Sequence, residues 1–110
     1  MNAGSPELDP TRLAAWLASG RPPQLVAALT PWQFDHAHIP GSLWFEDLGH
    51  ALDHLHRERP VVVYGPPEPC PAARFAERAL RAHGFETVVR LGGGLDAWAA
   101  ERRPLAGATA

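Results

Sequence analysis

At 110 residues the chain has room for one hydrophobic core and too little length for two. Its 45% hydrophobic and 20% charged residues match an ordinary globular composition, and a net charge of -2 with arginines dispersed among acids leaves no basic stripe for nucleic acid. A single cysteine excludes an internal disulfide and any multi-cysteine zinc site, and no apolar run approaches the ~20 residues that a membrane-spanning helix needs.

The opening "MNAGSPELDP" has neither the basic start nor the apolar centre of a secretion signal, so the expected location is the cytoplasm, where a lone thiol stays reduced. Asp9-Pro10 reads as an N-cap followed by proline at the first helical position. Leu13, Trp16 and Leu17 then share a face at helical spacing until Gly20 and Pro22-Pro23 stop the helix. Gln24 to Leu29 is an apolar run of strand length. Thr30-Pro31 repeats the cap signal for a short helix through about Ala37. "HIPGSLWF" holds a Pro-Gly turn and a brief strand-like segment, Leu43 to Phe45. Leu48, Leu52 and Leu55 mark a third helix, closed by Pro60.

The strongest strand is Val61 to Tyr64, which is apolar at every position and so fits a sheet covered on both faces. After a proline-rich loop, Phe75, Ala79, Leu80 and Ala82 belong to a helix over 71–83 that stops at Gly84. Thr87 to Leu91 is a further strand, Gly92-Gly93-Gly94 a tight turn, and Leu95 to Arg102 a last helix. Strands alternating with helices across short connections predict an α/β layer fold with a mostly parallel sheet, in one domain with an ordered core of roughly 6–104.

The loop "YGPPEPCPAAR" holds the only cysteine. Pro71 suits a first helical position, which makes Cys70 the expected N-cap. The unpaired N–H groups of Ala72 and Ala73 then face its sulfur, the helix dipole favours the thiolate, and Arg74, one turn in, adds a cation. Against this, Pro66, Pro67, Pro69 and Pro71 have no N–H to donate, and Glu68 places a negative charge where an anion would sit. The plain alternative is an inert, buried thiol, since free cysteine is among the most buried residue types. His50 and His54 stand four apart but lack an evident third ligand, and read as surface histidines with no metal expected. The triple glycine lacks the phosphate-loop pattern and reads as turn and close packing.

Four stretches in this order, "DHAHIPGSLWF", "RPVVVY" entering a loop that opens into a helix, "ALRAHGFETVVRL", and "GGGLDAW" followed by "RRPL", resemble a single-domain rhodanese (sulfurtransferase-type) module. The resemblance implies a central five-stranded, mostly parallel sheet flanked by helices on both faces. It also implies an activity without a cofactor. A cysteine after the fourth strand takes a sulfane sulfur as a persulfide and passes it to a thiophilic acceptor, within a loop of inward-pointing N–H groups. It makes His38 a structural residue and Trp98 a core aromatic.

This chain departs from the pattern in two places. Gly65 stands where the family usually has its cysteine, and Ala27-Ala28-Leu29 stand where it has Asp-Val-Arg. Some relatives carry a second cysteine five residues after the first, which is the offset of Cys70 from Gly65. The expectation is therefore a sulfurtransferase-like enzyme working through Cys70, with Gly65, Glu68, Ala72, Ala73 and Arg74 forming the anion- or substrate-binding loop and with weak thiosulfate activity. Its partners are a small sulfur donor and a thiophilic acceptor or sulfur-carrier protein, with no nucleic acid or membrane. The alternative is a non-catalytic rhodanese-homology module that binds or regulates.

Overall fold

The computed structural model describes residues 7–66 and 71–107. The elements run β1 (Glu7–Leu8), α1 (Pro10–Leu17), β2 (Gln24–Ala27), α2 (Pro31–His36), α3 (Leu48–His54), β3 (Val61–Tyr64), α4 (Pro71–Ala82), β4 (Val88–Leu91) and α5 (Gly94–Ala100). Strand order is β1-β4-β3-β2, every pair is parallel, and β3 lies inside the sheet between β4 and β2.

Both proline-linked caps form. Asp9 accepts the N–H of Arg12 at 2.7 Å, and Thr30 makes a reciprocal capping box with Gln33. Asp47 caps α3 by accepting the N–H of His50 at 2.9 Å. The uniformly apolar β3 is explained by cover on both sides. Val62 and Tyr64 join Leu25, Ala27 and Leu91 on one face, packed by Leu13 of α1, Trp98 of α5 and Ile39. Val61 and Val63 join Val26 and Val88 on the other face, packed by Ala51 and Leu55 at α3 and Leu80 of α4.

The expectation of five strands is corrected to four among the described residues. The segment Leu43 to Phe45 contributes only an isolated parallel bridge, Val26 to Leu43. Leu43 donates its N–H to Leu25 at 2.7 Å and accepts from Ala27 at 2.9 Å. The chain then leaves the sheet, because the Trp44 indole donates to the Leu29 carbonyl at 2.8 Å and Phe45 packs against the cluster under α3 and α4. β2 ends at Ala27 rather than Leu29. At the other edge the two-residue β1 is a strand that the pattern did not announce.

Charge is also built into the core. Arg90 of β4 donates to Glu77 of α4 at 2.8 Å and to Glu7 of β1 at 3.0 Å, while Arg81 lies 3.3 Å from the second Glu77 oxygen. Glu77 is only 1% exposed, so the network ties α4 to the sheet through a fully desolvated carboxylate.

Candidate functional site

In parallel α/β sheets the usable cleft opens beyond the carboxyl ends of the strands. Here that mouth is fixed by main-chain bonds. Ala28, just past β2, donates its N–H to Tyr64 at 2.7 Å, and the Gly65 carbonyl, just past β3, accepts from Leu95 of α5 at 2.9 Å. Gly94 opens α5 with φ +61°, in the left-handed region. A Cβ there would lie 2.5 Å from the Gly65 carbonyl oxygen and 2.9 Å from that of Pro66. The third glycine therefore lets α5 start against the end of β3.

Between β2, β3 and α4 lies an open crevice of about 550 Å³, lined by Ala28, Leu29, Thr30, Gln33, Glu46, Pro66, Ala72 and Phe75. Its lining contains no arginine or histidine among the described residues, and its one carboxylate is Glu46. The Gln33 side chain is occupied by the α2 cap, accepting the Thr30 N–H at 2.9 Å. Trp32 on α2 is 70% exposed and its ring stacks on His36 at 5.2 Å, while Phe75 on α4 is 71% exposed. Two aromatic side chains thus stand uncovered on the helices that flank the crevice.

Of the residues expected in the loop, Gly65 is buried at the strand end and Ala72 lines the crevice. Ala73 is half-buried and packs with the cluster under α3 and α4. Arg74 is exposed and is not part of the crevice lining. Glu68 and Cys70 lie outside the described residues. The helix that follows Cys70 begins at Pro71, and its first N–H groups have no intrahelical acceptor. Sequence reasoning missed Ala28 to Thr30, Glu46 and Phe75 as crevice residues. The rule that sites open at strand ends pointed to Ala28 to Thr30, but nothing in the sequence singled out Glu46.

Nearby, Tyr64 sends its hydroxyl to the opposite face of the sheet. The Ile39 N–H donates to it at 3.1 Å and Ser42 bonds it at 2.8 Å. Burial pushes the phenol pKa up, with the Ser42 and Ile39 hydrogen bonds acting in the other direction. His38 stacks on Phe34 with centroids 3.8 Å apart, and its main chain exchanges hydrogen bonds with Ala106 at 2.9 and 2.8 Å. The segment from Asp35 to Ser42 is anchored by these contacts. His50 and His54 stack edge to face at 4.6 Å on the exposed side of α3. No group of three metal-ligating side chains occurs among the described residues, and none of their helices is long and apolar enough to cross a membrane.

A covered parallel sheet, a mouth between β2 and β3, and a helix starting at that mouth define the class. The chain matches the rhodanese-like domain model over residues 9–101 and belongs to that family. It is 33% identical over 104 residues to the probable adenylyltransferase/sulfurtransferase MoeZ of two strains of Mycobacterium tuberculosis, across 88% of this chain and 25% of that protein. The chain therefore spans about a quarter of the length of the curated relatives it matches. Among solved structures, the Alr3790 protein of Anabaena superposes with a TM-score of 0.82 at 32% identity, covering 91% of each chain. The thiosulfate sulfurtransferase of Pseudomonas aeruginosa superposes with a TM-score of 0.82 at 27% identity, covering 97% of this chain and 20% of that one.

Proposed function

We propose that this chain is a sulfurtransferase that carries sulfane sulfur as a persulfide on Cys70, with thiosulfate as a poor donor. The observation that carries this reading is the position of α4. The chain's only cysteine immediately precedes a helix whose first turn reaches the crevice through Ala72. Amides without intrahelical acceptors and the positive end of the helix favour a sulfur anion beside them. The relatives named as sulfurtransferases supply the reaction class.

In the first half-reaction the Cys70 thiolate attacks the outer sulfur of the donor. Thiosulfate would leave as sulfite, and an organic persulfide R–S–SH would leave as the thiolate R–S⁻. In the second half-reaction the outer sulfur of the Cys70 persulfide passes to cyanide, to a thiol or to a carrier protein, and the Cys70 thiolate is restored. The N–H groups of Ala72 and Ala73 hold the sulfur, Gly65 shapes the entry from β3, and Arg74 contributes its charge from the exposed side of the first turn. Glu68 and the four prolines weaken the site for a dianion, and the crevice lining, which carries the carboxylate of Glu46 and no cation among the described residues, does the same. One feature favours a second reading, a binding module without turnover. Gly65 stands at the strand end that usually supplies the family's cysteine.

Intact-protein mass spectrometry after treatment with thiosulfate or an organic persulfide separates the two readings. The expected result is the mass of one added sulfur, lost on treatment with cyanide and absent from Cys70→Ser. A chain that never gains that mass from any donor is the binding module.

A further inference from the structure

We infer that the cleft between α3 and α4 holds the apolar body of the sulfur-bearing substrate, so that the chain takes organic persulfides whose body carries no anionic group. This rests on the sulfur-transfer reading above and assigns its substrate class. The cleft measures about 180 Å³, and Val26, Ala28, Leu48, Ala51, Phe75 and Ala76 are among the residues that line it. Alanines at 51, 76 and 79 leave space between the facing helices that larger side chains would fill. An apolar cavity of ~150 Å³ accepts a benzene ring, so this one has room for an aryl group or a short alkyl chain.

Two features connect the cleft to the chemistry. Ala28 and Phe75 line both the cleft and the crevice at the sheet mouth, so a substrate reacting in the crevice can lay its body directly into the cleft. The exposed Phe75 ring stands at that junction as apolar surface for it to cover. The charges on the path also have one sign. Asp47 lines the cleft and Glu46 the crevice, with no arginine or histidine among the described lining residues of either. A carboxylate or sulfonate on the substrate body is therefore repelled, while a neutral alkyl or aryl body is accepted.

The step is R–S–SH plus the Cys70 thiolate giving the Cys70 persulfide plus R–S⁻. The donor's S–S bond breaks, the new S–S bond forms to Cys70, and the proton stays on the transferred sulfur. No outside oxidant or reductant is required.

The test has two arms on the full chain. In the first, the unreactive probe benzyl methyl sulfide is titrated into ¹⁵N-labelled protein. Saturable amide shifts at Ala28, Ala51, Phe75 and Ala76 are expected, weakened in Phe75→Ala and in Ala79→Met. In the second, Cys70 persulfidation is timed with methyl, propyl, butyl, benzyl and 4-carboxybenzyl persulfides. The rate constant at low donor concentration should rise about two- to fourfold per methylene, the upper figure corresponding to ~0.8 kcal/mol per fully buried CH₂. The benzyl donor should exceed the carboxybenzyl one, and both cleft variants should reduce the preference for long donors.

Absence of shifts up to the probe's solubility limit overturns the inference, as do rates independent of chain length. Cleft shifts that follow protein concentration rather than probe concentration also overturn it, since a second copy then covers the site. Probe binding in the cleft without persulfidation by any donor supports the cleft while overturning the sulfur-transfer reading.

Discussion

Replacing Gly94 with alanine tests whether the mouth of the sheet is held as closely as its geometry implies. At φ +61° an L-residue carries ~1–2 kcal/mol of left-handed strain. The added Cβ would also sit 2.5 and 2.9 Å from two main-chain carbonyl oxygens, inside the 3.4 Å at which ordinary contact begins. Carbonyls at a strand end cannot turn away as a flexible side chain can, and overpacking of this kind costs a further ~1–3 kcal/mol. Gly20 provides the control, with φ +89° and nothing within 4 Å of its Cβ position. Gly20→Ala should therefore cost only the strain, and Gly94→Ala should exceed it by ~1–3 kcal/mol in urea unfolding at equal m-values. The same variant should change the rate of Cys70 alkylation by iodoacetamide, because Gly65 and Pro66 form the start of the loop that leads to Cys70. Equal costs for the two glycine variants, with unchanged alkylation, would refute a rigid contact between α5 and the end of β3.

Removing one member of the buried ion network should be severe. Arg90→Leu leaves Glu77 without its main partner and should cost ~3–5 kcal/mol in chemical denaturation, with much of the loss recovered in the Arg90→Leu/Glu77→Leu double variant. Tyr64 sets an alkaline limit. Its folded pKa lies above the unfolded value of 10.0, so the stabilisation is present below that pH and is lost as pH rises through the folded value. Tyr64→Phe should lose ~1–3 kcal/mol at neutral pH, by leaving the Ile39 N–H unbonded, yet show a flatter decline in stability above about pH 10. With thiosulfate and cyanide as substrates, Cys70→Ser should abolish thiocyanate formation and Gly65→Cys should leave it unchanged or raise it. Full activity in Cys70→Ser would exclude the Cys70 mechanism.

The parts of the fold legible in sequence are those encoded locally. Asp9-Pro10 and Thr30-Pro31 announce their helices because a capping side chain needs only the next three residues. Val61 to Tyr64 announces a central strand because burial on both faces removes every polar position. The parts that were not legible depend on partners far away in the chain. Nothing in Glu7-Leu8 signals a strand until Glu7 meets Arg90, 83 positions later. Leu43 to Phe45 has strand-like residues, but the bond from Trp44 to Leu29 pulls the chain out of the sheet after one bridge. At the site, the start of the helix at Pro71 could be read from proline chemistry. The contribution of Phe75 and Glu46 could not, because it depends on how α2, α3 and α4 come together around the mouth.

The absence of charge at Ala27 and Leu29, where the rhodanese resemblance implied Asp and Arg, has a physical reading in this arrangement. The positions at the mouth are held through main-chain atoms. Ala28 is fixed by its N–H to Tyr64, Leu29 by its carbonyl to Trp44, and Gly65 by its carbonyl to Leu95. Such bonds form whatever side chain a residue carries, so uncharged alanine and leucine at these positions leave the frame intact. Ala27 and Leu29 instead join the apolar cluster on one face of the sheet, where an ionised side chain would need a buried partner. The rhodanese fold thus stands with no charged side chain at positions 27–29. A crevice whose described lining holds the carboxylate of Glu46, the neutral Thr30 and Gln33, and no cation has little to offer a small dianion. Its apolar members, Ala28, Leu29, Pro66 and Phe75, offer contact to an organic group attached to sulfur, so donor selectivity is the property on which the proposed sulfur transfer should show this lining most clearly.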